Sequence, residues 1–120
     1  MQLTRLLSVD GRELASVELA ATPRQRMRGL LGRSALEPGR AMWLAPCRSI
    51  HTVGMQFTID VVFLDREYRV AAIREQVVPF RLVWGGWRSR GVLEFAAGEV
   101  ARLQLTPGQQ LQLRIERGGA

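Results

Sequence analysis

Lysine is absent: all seventeen basic residues of this 120-residue chain are arginine. Cysteine and histidine occur once each, as Cys47 and His51. One cysteine excludes an internal disulfide and a cysteine-built zinc site, and it fits a reducing compartment. No run of about eighteen apolar residues occurs, so no membrane-spanning helix and no membrane contact are expected. The opening "MQLTRLLSVDGRELASVELA" places charges where a signal peptide needs an apolar centre, and a cytoplasmic location is the expectation. Repeats, linkers and low-complexity segments are missing too. With this length, that gives one domain, expected over residues 1–117, with a disordered tail at 118–120.

What is present suits a folded domain. The chain is 47% hydrophobic and 23% charged, enough to build one core without staples. The net charge is +6, which raises weak attraction to polyanions. The arginines run from Arg5 to Arg117 with acidic residues between them, the pattern of a solvated surface. Nucleic-acid binding is accordingly expected to be weak and nonspecific.

The local pattern alternates. Asp10-Gly11 separates two strand-like runs and suits a tight hairpin. "ATPRQRMRGLLGR" reads as a short helix: Thr22 caps it, Pro23 takes the first position and Gln25 completes a capping box. Met27, Leu30 and Leu31 form its apolar face and Gly32 its stop. Ser34–Glu37 repeats the capping pattern in shorter form. "AMWLA" (41–45) is an apolar strand. "FTIDVVFLD" is apolar on both faces, with Ile59, Val61 and Phe63 on one and Val62 and Leu64 on the other, so it is a central strand. "YRVAAIREQVV" is expected to pair with it. "FRLVWGGWRSRG" reads as a loop, "GVLEF" as a strand, and Leu111–Ile115 as a half-exposed strand. The fold class is therefore α+β and mostly β, a small distorted barrel or curled, antiparallel-rich sheet. One short N-terminal helix and about seven strands are expected.

"PCRSIHTVGM" holds Cys47 and His51 four residues apart. On a helix they would lie about 6 Å apart along the axis, and on an extended strand about 13 Å apart. Pro46, β-branched Thr52 and Val53, and Gly54 favour extended or irregular backbone. A Cys–His pair then needs a local bend. The C-x3-H-x3-M pattern through Met55 lacks the second histidine of a blue-copper site, and no metal or cofactor is expected. Cys47 as a small buried hydrophobe and His51 as a hydrogen-bonded core or rim residue are the plainer alternative. Asp60 stands among apolar neighbours in its strand. It is either a carboxyl held by backbone N–H groups or an arginine, or a pocket group beside His51 and Thr52. A bend at Gly54 is expected to bring His51 and Asp60 into one cleft, with Thr52 or Met55 on its wall.

"RMRGLLGR", then "AMWLAPCRSIHTVGMQFTIDVVFLD", then "GVLEFAAGEVARLQLTPGQQL" resembles the domain of unknown function 192 family over about residues 23–114. The resemblance implies a compact, barrel-like β domain. It maps the family's central polar positions onto His51, Thr52, Met55 and Asp60. Thr58 departs from the family's usual proline, and the resemblance implies no established reaction.

Three functions follow. The first is a module binding a small molecule or peptide through Ser49, His51, Thr52, Met55 and Asp60 at the end of the central strands. The second is a hydrolase or transferase with Cys47 as nucleophile, His51 as base and Asp60 as orienter. The third is a nucleic-acid binder using Arg81, Trp84, Trp87, Arg88 and Arg90, where basic and aromatic residues interleave; the plainer alternative is a surface loop whose tryptophans pack on the domain's flank or at an oligomer contact.

Overall fold

The computed structural model describes residues 2–114, without the side chain of Met27. The expected tail at 118–120 and the strand position at Ile115 lie outside the described residues. β1 (Gln2–Ser8) and β2 (Glu13–Ala20) form the expected hairpin around Asp10-Gly11. α1 (Pro23–Arg28) carries the full capping box: Thr22 Oγ1 accepts from Gln25 N, and Gln25 Oε1 accepts from Thr22 N. It stops one turn before the expected Gly32, because Gly29 already takes φ 49° and its N–H closes on Gln25 O. Ser34–Glu37 forms no helix. Glu37 precedes Pro38, which disfavours helical backbone, and Glu37 O instead accepts Arg40 N in a turn.

β3 (Arg40–Leu44) follows, then β4 (Ser49–His51), β5 (Ile59–Leu64), β6 (Val70–Val77), β7 (Leu82–Trp84), β8 (Gly91–Ala96), α2 (Glu99–Leu103) and β9 (Leu111–Arg114). Among the described residues there are thus two short helices rather than one, and nine strands rather than about seven. Part of the segment expected to be a loop, 80–91, is β7, which pairs with β4 as a separate ribbon. The main sheet runs β6-β5-β8-β3-β2-β1-β9, antiparallel except where β2 meets β3. It curls until its two edges touch: Arg69 bridges Gln110, and Val70 N donates to Gln109 O at 2.9 Å. The fold is the curled, mostly β sheet expected, a half-barrel.

Both faces are covered. Val62, Leu64, Leu93, Phe95, Trp43 and Val17 belong to a cluster on one face. Ile59, Val61, Phe63, Met42, Leu44 and Val92 belong to a second cluster, which Ile50, Met55 and Val83 from the β4–β7 region complete. The two faces of β5 divide as its alternation requires, and all six of its residues are buried. Gly85 is fixed by this packing, because a Cβ there would lie 2.2 Å from the Phe63 ring.

Candidate functional site

The bend expected at Gly54 is present. Gly54 has φ 84° and Met55 N donates to Thr52 O, so the chain reverses after β4. Met55 returns to the side of His51, and both line a cavity of about 240 Å³ with Cys47 and Ser49. The end of α1 forms the opposite wall, through Arg26, Arg28 and Gly29.

Asp60 does not join them. It shares the sheet face of Val62 and Leu64, whereas His51 and Met55 stand over the face of Val61 and Phe63. Its side chain is fully buried, and its carboxyl oxygens hold backbone: Oδ1 accepts Gln76 N at 2.9 Å, and Oδ2 accepts Gly98 N and Val100 N at 3.0 Å each. Gln76 sits at a bulge with φ 56°, where the β5–β6 register shifts. Gly98 opens α2 with no side chain of its own to cap it. Asp60 thus satisfies donors that the bulge and the helix start leave open. It is a buried structural anchor and not the cleft partner of His51.

Thr52 is likewise withdrawn from the cavity. It is fully buried; its hydroxyl donates to Val78 O and accepts Arg81 N, both at 2.8 Å, stapling the 78–81 loop to the end of β4. Of the expected ligand residues, Ser49, His51 and Met55 line one cavity, while Thr52 and Asp60 do not.

The carboxyl that does reach this cavity is Glu94. It lies opposite Met42 on β3 and Val61 on β5, so alternation puts it on the second apolar face beside Val92. It is 4% exposed at the cavity floor. Its carboxyl has no hydrogen bond and no ion pair with the described residues. Burial pushes its pKa up to about 7, and Arg33, acting at a distance, only partly offsets this. Arg33 itself is paired with Glu18 at 2.7 Å. Gly29 leaves the approach open, since a Cβ there would stand 4.0 Å from Glu94 Oε1. The signal was present in "GVLEF": a carboxyl alternating with apolar residues in a strand, the same signal that singles out Asp60.

Cys47 is held as a thiol. Its Sγ donates to Ser49 O at 3.0 Å, and burial raises its pKa, with the nearby Glu94 charge adding to that. No hydrogen bond joins it to His51. A thiolate nucleophile needs the opposite electrostatics.

The Arg/Trp candidates separate into two places. Arg81 and Trp84 line an open groove of about 670 Å³ between β6 and β7, with no buried ionisable group in its wall. Trp87, Arg88 and Arg90 face a different cleft at the end of the sheet. Trp84 and Trp87 meet edge to face, with ring centroids 5.0 Å apart. No described helix is long and apolar enough to cross a membrane.

The family model of domain of unknown function 192, described as an uncharacterized ACR, matches residues 5–113. A solved structure from Sinorhizobium meliloti 1021, described as a "putative transcription regulator", is similar at 28% identity, covering 92% of each chain with a TM-score of 0.77. A protein of unknown function from Novosphingobium aromaticivorans DSM 12444 shares the fold at 24% identity and a TM-score of 0.77, over 92% of this chain and 83% of its own. No curated protein matches the chain.

Proposed function

Because this chain belongs to the domain of unknown function 192 family, which carries no established reaction, we propose its function from the cavity itself: it is a small-ligand-binding domain whose pocket is the cleft over Glu94. The observation that carries this reading is the carboxyl of Glu94, buried, unpartnered and open to the cavity. A buried group of this kind destabilises a fold unless something pairs with it. Apolar walls with a few convergent polar groups are the usual make-up of a ligand pocket. Leu30, Leu44 and Met55 supply the walls, and Ser49 and His51 the rim.

The chemistry of Glu94 selects the ligand. An acceptor that ionises near neutrality pairs with a hydrogen-bond donor, best of all an ammonium or guanidinium. A space of about 240 Å³ suits a small molecule or one basic side chain of a peptide. Arg26 and Arg28 on the opposite wall suit an anionic end on the same ligand.

A Cys47–His51 hydrolase or transferase has less support, because Asp60 is engaged elsewhere and the Cys47 thiol is stabilised against ionisation. The regulator description of the Sinorhizobium neighbour is not carried over either. α1 and α2, of six and five residues, are at most about 9 Å long, shorter than a helix that reads a major groove.

The test is to titrate the protein with butylamine, methylguanidine and acetamide, following the His51 ring and Met55 methyl signals by NMR. The cationic probes are expected to shift both signals and to bind about 10-fold more tightly at pH 8 than at pH 6, as Glu94 ionises. Glu94→Gln should abolish that pH dependence. Shifts confined to other surfaces, or binding indifferent to Glu94→Gln, would contradict the reading.

A further inference from the structure

A second cleft lies at the end of the sheet where β3 and β5 finish and β8 begins. Leu64 pairs with Gly91 and Leu44 with Val92, so the connections after β3, after β5 and before β8 meet there. Each contributes arginine: Arg48 from the first, Arg66 from the second, Arg88 and Arg90 from the third. With Trp87 they line a cavity of about 450 Å³.

None of these four guanidiniums makes a hydrogen bond or ion pair with the described residues. Among the described arginines, Arg33, Arg40, Arg69 and Arg102 are paired with carboxylates, and this cleft brings four of the others together. Asp65 and Glu67 also face the cleft, but they are engaged at home. Asp65 Oδ1 accepts Glu67 N and Arg69 N at 2.9 Å each, and Glu67 pairs with Arg69 at 3.4 Å. The four arginines outnumber the two carboxylates, so the cleft carries net positive charge.

Trp87 is 80% exposed, which leaves most of a large apolar ring in water. It is nonetheless held. Trp84 packs against it edge to face, and the loop that carries it is clamped at both ends. Gly85 N donates to Arg48 O at 2.8 Å and presses on Phe63, Ser89 Oγ donates to Cys47 O at 3.1 Å, and Arg90 N donates to Leu64 O at 2.7 Å. A solvent-facing indole on a clamped loop, beside unpaired guanidiniums, suits a ligand that has both a π-face and phosphate oxygens.

We propose that this cleft binds a nucleotide, with the phosphate on the arginines and the base stacked on Trp87. Its volume fits one nucleotide, which is either free or one unit of a single-stranded nucleic acid. The site is separate from the Glu94 cavity and independent of it.

Calorimetric titration at fixed salt with 5′-AMP, adenosine, inorganic phosphate and a ten-nucleotide single strand of dT tests the proposal. AMP should bind about 10-fold more tightly than adenosine or phosphate alone, since both halves contribute. Trp87→Ala should weaken AMP about 10-fold, Trp87→Phe should retain most of the affinity, and Arg66→Ala with Arg88→Ala should weaken it at least as much as Trp87→Ala. Unfolding midpoints of these exposed-site variants should stay at the native value, which separates lost binding from lost folding. A strand that binds more tightly than AMP, and still depends on Trp87, identifies the polymer as the source. Equal affinity identifies the free nucleotide. AMP binding no tighter than phosphate, or unchanged in Trp87→Ala, would overturn the proposal.

Discussion

Glu94→Gln is expected to make the protein more stable at pH 8 and to leave it nearly unchanged at pH 4.5. Burial lifts the Glu94 pKa from an ordinary 4.5 to about 7. The unfolded chain releases this proton near the ordinary value, the folded protein near 7. Between the two, the folded state holds the extra proton, so stability falls as pH rises through that window and levels off above it. The displacement corresponds to on the order of 3 kcal/mol. Glutamine keeps the shape without the charge, and its unpaired amide offsets part of the gain, leaving about 2 kcal/mol at pH 8. In a domain of this size that raises the unfolding midpoint by roughly 10 °C. Thermal unfolding of both proteins at pH 4.5 and 8 checks it. Glu99, whose pKa is lowered chiefly by its hydrogen bond with Arg102, titrates in both proteins and cancels in the comparison. If wild type and variant lose the same stability over this range, Glu94 titrates as an ordinary surface glutamate. A more stable variant that has lost ligand marks a residue kept for function against the interest of the fold.

Asp60→Ala should have the opposite character: a large loss of stability at neutral pH and no direct effect on the ligand cavity. Three backbone N–H groups, from Gln76, Gly98 and Val100, lose their acceptor at once. Each unsatisfied buried donor costs about 1–3 kcal/mol, so a total near 4 kcal/mol is expected, with a midpoint lower by roughly 15 °C. Asp60→Asn keeps one carbonyl oxygen and should lose about half as much. Denaturant unfolding of the two variants measures this. A stable Asp60→Ala protein would mean that the bulge at Gln76 and the start of α2 hold themselves.

Much of the fold is legible in local chemistry. Asp10-Gly11, the Thr22–Gln25 capping box and the two-faced apolar pattern of β5 each act within a few residues, and each appears in place. What escapes a local reading depends on distant partners. α2 starts at Gly98 with no capping side chain, and its cap is Asp60, 38 residues earlier. β4 and β7 are three residues each, too short to show a period, and exist because they pair with each other over the second apolar face. The site divides in the same way. Ser49, His51 and Met55 are found by the bend at Gly54, a local feature. Choosing between Asp60 and Glu94 requires knowing which sheet face carries the cavity. Strand parity separates the two carboxyls, but only the approach of α1, with Gly29 at its end, decides which face opens.

The central claim is that Glu94 is an unpartnered carboxyl waiting for a cationic ligand group, and the carboxyl signal of ¹³C-labelled Glu94 reports it directly as pH is varied. In the free protein its midpoint should lie near 7, and saturating methylguanidine should lower it by a unit or more, roughly the effect of a close positive charge. A midpoint near 4.5, or one near 7 that methylguanidine leaves unmoved at saturation, would contradict the account.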